Sequence, residues 1–188
     1  MRRIIVSKRF GEWVDVRDFI RPHDYMLSSV LATRPGWTVE ELWRWVIEHI
    51  RYPRGGVLTA DCHVLYTYGK RYASIDYWSY PAETLRTGIG DCEDSAILLV
   101  SMLRHIDQFA YATVGFYEGH GHVWVSISRG SDWLVLDTTL SRVPLVVPVE
   151  SAARQYRPLF RFNEKEVVIE AAEMLIPKRT YWYMIVEG

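Results

Sequence analysis

The sequence predicts an α+β fold, with helices in the first half of the chain and an antiparallel sheet after them. In the first half, Leu42, Trp45, Val46 and His49 recur three and four positions apart, which is the spacing of one helix face. Beyond residue 110 the period changes to alternation, in three successive runs separated by turn residues. Helices followed by strands are typical of α+β domains.

Four helices are expected from their capping residues. Asp24 is placed to cap the first helix, and Thr38 with Glu41 forms a capping box for the second. The first predicted helix covers 24–33 and is stopped by Pro35-Gly36, and the second runs from 38 to just before Tyr52-Pro53. The third is a brief helical turn at 81–85, stopped by Gly88 and Gly90. The fourth runs from Cys92 to about His105. Between the second and third helices, the weak periodicity of 52–80 predicts loops with one short extended piece.

The second half of the chain is expected to be mainly strands. The alternating runs predict strands at 111–117, 122–128 and 133–138, arranged as an antiparallel meander. Further along, we expect a helix at 150–156, a strand within 158–169 and a terminal strand at 180–186.

The turn at Gly130-Ser131 sets the register of the last hairpin. A two-residue turn pairs Arg129 with Asp132, so that His122 and Asp137 become diagonal neighbours on one face, within side-chain reach. The other face is then largely apolar, with Val123, Val125 and Ile127 against Thr138, Leu136 and Leu134. An odd number of turn residues would instead place His122 and Asp137 on opposite faces.

Length and composition limit the classes of protein. A chain of 188 residues that is 49% hydrophobic can bury a sizeable core, and we expect a single domain over residues 1–188. A net charge of −1 argues against nucleic acid or an anionic membrane as partner. The N-terminus lacks the apolar core of a signal peptide, and no stretch approaches the roughly 18 apolar residues of a membrane helix. Two cysteines do not make a disulfide framework. A cytoplasmic protein is therefore expected.

Cys92 is the first candidate for chemistry. It lies at the predicted start of a helix, where unpaired N–H groups and the helix dipole stabilise a thiolate. A lone cysteine beside apolar residues is more often a small buried hydrophobe, and His122 and Asp137 taken singly also have structural explanations. Together, a cysteine, a base and a group that orients the base favour a catalytic role for Cys92, His122 and Asp137.

The acids around Cys92 have a simpler explanation. Asp91 with Asp94 resembles a helix-capping box, and Glu93 in the first turn complements the dipole, so we favour helix stabilisation for all three. Carboxylates at these positions also raise the pKa of a neighbouring thiol, which calls for an offsetting group.

Three motifs in order resemble the transglutaminase-like superfamily, most closely its bacterial and archaeal cysteine proteinases. They are Gly90-Asp91-Cys92-Glu93-Asp94, then Gly121-His122-Val123-Trp124, then Leu136-Asp137-Thr138-Thr139. The resemblance covers about residues 38–140, with N- and C-terminal extensions outside it. It implies a papain-like α+β core with the cysteine-bearing helix packed on an antiparallel sheet. It also implies that Cys92 is the nucleophile, His122 the general base and acid, and Asp137 the residue that orients the imidazole.

The implied reaction passes through a thioester acyl-enzyme and needs donors for an oxyanion. The Cys92 backbone N–H is the expected first donor, and Trp78 is the predicted second, with Tyr77 and Tyr80 as alternatives. No cofactor is required, but the resemblance to relatives with calcium beside the cysteine makes Asp91 and Glu93 candidate calcium ligands.

A second cluster, Asp61-Cys62-His63, is a poor catalytic pair because adjacent residues of an extended segment point to opposite sides. A zinc site from Cys62, His63, His120 and His122 is conceivable but lacks the usual ligand spacing. His120 is expected to belong to a glycine loop near the mouth of the site.

The function expected from these observations is hydrolysis of amides in protein or peptide substrates by a cysteine peptidase or amidase. Two alternatives stay open: a protein-glutamine transglutaminase or deamidase, and a non-catalytic peptide-binding module on the same scaffold. The tryptophans and tyrosines between residues 66 and 80 suit a peptide-binding surface as well as a core.

Overall fold

A computed structural model describes residues 3–9, 12–52, 77–129, 132–139, 147–148, 155–170 and 184–187. After a short 3-10 helix at Val16–Phe19, the α-helices are Tyr25–Ala32 (α1), Val39–His49 (α2), Pro81–Thr87 (α3) and Cys92–His105 (α4). The strands are Arg3–Arg9 (β1), Glu12–Asp15 (β2), Ala110–Tyr117 (β3), His120–Arg129 (β4), Asp132–Leu136 (β5), Val147–Pro148 (β6), Tyr156–Phe162 (β7), Val167–Ile169 (β8) and Met184–Glu187 (β9). The predicted α+β class is confirmed.

The helices begin and end at the residues that the sequence indicates. An Asp24 carboxylate oxygen accepts the N–H groups of Met26 and Leu27 at the start of α1. Thr38 and Glu41 form the predicted capping box at the start of α2. Gly88 ends α3 in the left-handed conformation, at φ 61°, which an L side chain adopts only with strain.

The larger sheet has six strands in the order β6-β5-β4-β3-β7-β8, and every neighbouring pair is antiparallel. Helix α4 packs against β3 and β4. All residues from Glu93 to Leu103 of this helix are buried. Cys92 is therefore the first residue of a helix that is fixed in place by the core.

The hairpin of β4 and β5 has the predicted register. Arg129 faces Asp132 and Val125 faces Leu136. Val123, Val125 and Ile127 are all buried, as the apolar face requires. This register has the predicted parity, with two residues of the sequence between Arg129 and Asp132, and it places His122 and Asp137 on the same side of the sheet.

The N-terminal strands were not expected from the sequence. β1 and β2 pair with each other, and β1 also pairs with the C-terminal strand β9 in a separate three-stranded sheet. β1 nevertheless belongs to the main core, because Ile4 and Val6 are fully buried within it. Strand pairing between residues that are far apart in the sequence leaves no local sequence pattern, so it could not be predicted.

The helix predicted at 150–156 is wrong for the two of its residues that the structure describes. Within the expected helix at 150–156, Gln155 forms a turn and Tyr156 begins strand β7. The preceding residues 149–154 lie outside the described part of the chain, as do residues 53–76 of the predicted loop region 52–80. Among the described residues, no helix is long and apolar enough to cross a membrane.

Candidate active site

Cys92 is held at the N-terminus of α4. Asp91 is the N-cap residue with an extended backbone, and its carbonyl accepts the Ser95 N–H at 3.1 Å, which closes the first helical turn. The Cys92 side chain is half-buried, and its thiol donates to Glu93 Oε2 at 3.1 Å. The thiol therefore lies at a helix N-terminus and in contact with a carboxylate.

The predicted capping box of Asp91 and Asp94 is wrong. Asp91 makes no side-chain capping hydrogen bond. Asp94 is buried and its Oδ1 accepts the Ser79 backbone N–H at 2.7 Å, so it ties the segment before α3 to the cysteine helix. This buried carboxylate acts as a tertiary link instead of a local cap. Gly90 makes room for it, since a Cβ there would lie 2.7 Å from Asp94 Cβ.

His122 lies on β4 between the carboxylate and the thiol. Its Nε2 is 2.7 Å from Asp137 Oδ2, and the ring also interacts electrostatically with Cys92. Because Asp137 occupies Nε2, Nδ1 is the ring nitrogen left for the thiol. Burial alone would lower the pKa of His122, but hydrogen bonds with Asp137 and Cys92 and attraction to both groups raise this pKa to about 9.

Asp137 follows β5 and is surrounded by donors. Its Oδ1 accepts the backbone N–H and the hydroxyl of Thr139 at 2.9 and 3.0 Å, and its Oδ2 accepts the Tyr156 hydroxyl at 2.9 Å in addition to His122. The backbone carbonyl of Asp137 accepts Nε1 of Trp43 at 2.7 Å. Burial would raise the pKa of this carboxyl, but the bond and charge of His122, with the donors from Thr139 and Tyr156, hold the pKa below its ordinary value.

Aromatic rings enclose the imidazole. Trp124 stacks on His122 with ring centroids 6.2 Å apart, and Tyr117 and Tyr156 lie at 5.8 and 6.4 Å. Only 12% of the His122 side chain is exposed. Restricted access to water strengthens the electrostatic coupling between the imidazole and Asp137.

An open groove of about 250 Å³ leads to the imidazole. It is lined by Tyr52, Tyr117, His120, Gly121, His122 and Thr139. His120 is exposed at the start of β4, which agrees with its expected place near the mouth of the site. The groove connects His122 to solvent.

The structure pairs His122 with Asp137 and gives His122 an electrostatic interaction with Cys92, while the role of Trp78 as an oxyanion donor stays a prediction. Trp78 is fully buried in the core, stacked on Phe162 and edge-on to Phe19, and it does not line the groove. The alternatives have other partners: the Tyr77 hydroxyl donates to Glu83, and the Tyr80 ring lies under the Arg21 guanidinium.

Of the four residues of the conceivable zinc site, Cys62 and His63 lie outside the described part of the chain. Asp91 and Glu93 are adjacent to the thiol, and Glu93 Oε2 already accepts its hydrogen bond. No group of three or more potential metal-ligating side chains occurs in the described ranges, so Asp91 and Glu93 do not by themselves complete a calcium site there.

Two residues around Asp137 were missed by the sequence analysis: Trp43 and Tyr156. A turn at Thr138-Thr139 capped by Asp137 was the structural explanation considered for that aspartate, and Thr139 does donate to its carboxylate. Trp43 and Tyr156 reach Asp137 from α2 and β7, and no local pattern indicates such contacts.

A family model described as Transglutaminase-like superfamily matches residues 29–138, which is more than half of the chain. No curated protein matches the sequence significantly.

Solved structures with a similar fold include three of LapG from Legionella pneumophila. An EGTA-treated form is 19% identical over 79% of this chain and 76% of LapG, with a TM-score of 0.55. A calcium-bound form is 19% identical over 77% of this chain and 86% of LapG, with a TM-score of 0.52. At this level of identity the similarity concerns the fold.

Proposed function

The chain belongs to the transglutaminase-like superfamily, and from that premise we propose that it is a thiol-dependent amide hydrolase, a cysteine peptidase or amidase. Cys92 is the nucleophile, His122 the general base and acid, and Asp137 the residue that orients the imidazole. The observation that carries the proposal is the hydrogen bond between Asp137 and His122, together with the electrostatic interaction of His122 with Cys92 at the start of α4.

The geometry supports the following reaction. With the thiol proton held on His122, the Cys92 sulfur attacks the amide carbonyl to form a tetrahedral intermediate. Asp137 stabilises the imidazolium that results. His122 then returns the proton to the leaving amine, the carbon–nitrogen bond breaks, and a thioester forms between the acyl group and Cys92. Water attacks this thioester with His122 as base, which releases the acid and restores the thiol.

The oxyanion of the intermediate needs preorganised donors. The Cys92 backbone N–H at the start of α4 is one, since the first N–H groups of a helix have no partner within the helix. Trp78 stays a prediction for the second donor, and its position in the core is unfavourable for that role.

We propose protein or peptide substrates. The groove is open and is flanked by the Tyr52 and Tyr117 rings, a wall that suits the side chains of an extended peptide. A substrate amide seated above His122 would also lie at the mouth of the site beside His120.

The test is hydrolysis of a mixture of unstructured proteins and peptides, read by mass spectrometry as new chain termini. We expect cleavage by the wild-type protein and by Cys62→Ala, and complete loss in Cys92→Ala. Cleavage by Cys92→Ala at the wild-type rate would remove Cys92 from the mechanism.

The same thioester can be resolved by an amine, which is the transglutaminase alternative. Adding a primary amine to the reaction distinguishes the two outcomes. We expect acid products to predominate, and products that are mostly amides of the added amine would assign transfer instead of hydrolysis.

We also propose calcium binding at Asp91 and Glu93, which would need further oxygen ligands to complete a site. Carboxylate oxygens are preferred by Ca²⁺, and a cation there would offset their effect on the thiol. Calorimetric titration of chelator-treated protein should give heat that is lost in Asp91→Asn. Absence of heat in the wild-type protein would contradict this proposal and leave the triad proposal untouched.

A further inference from the structure

We propose that Tyr156 is a positioning residue of this site: its hydroxyl holds the Asp137 carboxylate in the orientation that pairs with His122. The inference rests on the proposed function and adds a fourth side chain to it. Residue 156 lies outside the segment 29–138 that matches the family model, so the family match does not supply this role.

The contacts of Tyr156 fix the hydroxyl at the carboxylate. Tyr156 is buried, and its hydroxyl oxygen lies 2.9 Å from Asp137 Oδ2, the oxygen that also accepts from His122. The ring packs edge-on to Trp124 with centroids 5.1 Å apart and lies 4.8 Å from Tyr117. A ring confined on these sides keeps the donor on one carboxylate oxygen.

The two carboxylate oxygens are thereby held from different directions. Thr139 donates twice to Oδ1, while Tyr156 and His122 share Oδ2. Rotation of the carboxylate would break bonds at both ends, so Oδ2 stays aimed at the imidazole. A carboxylate fixed in this way orients the ring without reorganising during the reaction.

An irregularity in β7 turns Tyr156 towards the site. Val114 pairs with Phe160, whereas the next residue, Gly115, pairs with Pro158, so β7 contains one extra residue at this point. One extra residue in a strand places the side chains before it and after it on opposite faces of the sheet, relative to a regular strand. Phe160 accordingly packs in the main core, while Tyr156 packs with Trp124 and Val135 on the side of Asp137.

Gly115 permits this irregularity. A Cβ at residue 115 would lie 2.2 Å from the Arg157 carbonyl oxygen and 2.7 Å from the Trp124 ring. The bulged strand and the tryptophan that stacks on His122 both occupy the space that a side chain would need. The glycine, the bulge and Tyr156 thus form one arrangement that ends at Asp137.

The chemical state of Tyr156 agrees with a donor role. Burial and the nearby Asp137 charge raise the pKa of this tyrosine well above its ordinary range. The hydroxyl therefore keeps its proton at the pH of any ordinary assay, and its bond to Asp137 persists through the reaction.

The test compares Tyr156→Phe with Tyr111→Phe. The control removes another buried tyrosine hydroxyl that donates to a carboxylate, Glu166, on the same sheet but away from the site. Two readouts are needed: the ¹H NMR signal of the His122 Nε2–H, identified by its absence in His122→Gln, and the separate values of kcat and KM for an amide substrate.

In Tyr156→Phe we expect the Nε2–H signal to move upfield and to exchange faster with water, because the carboxylate is less well oriented. We expect kcat to fall by about tenfold, the scale of one hydrogen bond to a charged group, with KM changed by less than about twofold. Tyr111→Phe should change neither the signal nor kcat.

An unchanged or downfield-shifted Nε2–H signal in Tyr156→Phe would overturn the inference, as would equal effects of the two variants on the signal and on kcat. The NMR readout needs no substrate, so it separates the two proposals. A wild-type protein without amide turnover would defeat the proposed function, while a shifted signal in Tyr156→Phe would still support the positioning role.

Discussion

Asp137 Oδ2 lies 2.7 Å from His122 Nε2, and this bond decides which nitrogen of the imidazole can act on Cys92. With the Nε2 proton directed at the carboxylate, Nδ1 is the ring nitrogen through which His122 can exchange a proton. Nδ1 is also the nitrogen that remains for the thiol. The carboxylate thus fixes both the tautomer and the orientation of the base.

Replacing Asp137 by asparagine should remove this control. In Asp137→Asn we expect kcat to fall by at least about 100-fold, because the wrong tautomer becomes accessible and the imidazolium loses its charged partner. The measurement is kcat for a cleaved peptide. Asp24→Asn is the control, since asparagine caps a helix as well as aspartate does and should leave kcat unchanged.

The stability of the protein should depend on His122 through pH. Folding raises the pKa of His122 to about 9, from an ordinary value of 6.5. A group whose pKa is raised by folding stabilises the fold fully at pH values below its pKa in the unfolded chain. This stabilisation disappears as the pH rises through the pKa that the group has in the folded protein. We expect the free energy of unfolding to decrease between those two pH values, and His122→Gln to flatten the decrease. Urea unfolding across this window measures it, and equal slopes for both proteins would contradict the prediction.

Gly90 should matter for both stability and activity. A Cβ at residue 90 would lie 2.7 Å from Asp94 Cβ and 3.3 Å from Thr84 Cγ2, directly before the cysteine helix. We expect Gly90→Ala to cost about 1–3 kcal/mol of unfolding free energy and to lower kcat by displacing the start of the helix.

Gly36→Ala is the matched control for Gly90→Ala. Gly36 has φ +75°, and no atom lies within 4 Å of the position that an alanine Cβ would take there, so only backbone strain of about 1–2 kcal/mol is expected. Loss of stability without loss of kcat in both variants would show that Gly90 does not position Cys92.

Trp43 should support the site through the backbone of Asp137. Its Nε1 donates to the Asp137 carbonyl at 2.7 Å. We expect Trp43→Phe to lower kcat/KM by about fivefold, equivalent to roughly one hydrogen bond. Trp45→Phe is the control on the same helix, because the Trp45 ring stacks on His49 at the surface. Equal activity of the two variants would show that Asp137 does not need this bond.

The parts of the fold that could be predicted were those with local causes. Thr38 and Glu41 indicated a helix start within four residues. The spacing of Arg129 and Asp132 in the sequence indicated the β4–β5 register, and with it the contact of His122 with Asp137. Periodicity and turn chemistry act over short distances, so one sequence is enough to detect them.

The missed parts depend on contacts between distant segments. The pairing of β1 with β9 joins the two ends of the chain, and the reach of Tyr156 to Asp137 depends on a bulge in β7 opposite Gly115. The Asp94 side chain was assigned to a local cap because Asp91 stands three residues before it, whereas the fold gives it a partner at Ser79. Tertiary competition for a polar side chain does not show in local spacing.

Site-resolved alkylation tests the central claim, an activated Cys92 thiol paired with His122, most directly. The rate of iodoacetamide labelling is measured separately for the Cys92 and Cys62 peptides by mass spectrometry, in the wild-type protein and in His122→Ala. The triad predicts fast, selective labelling of Cys92 that slows at least about tenfold without His122. Slow labelling of Cys92 at the same rate as Cys62, unchanged in His122→Ala, would contradict the account.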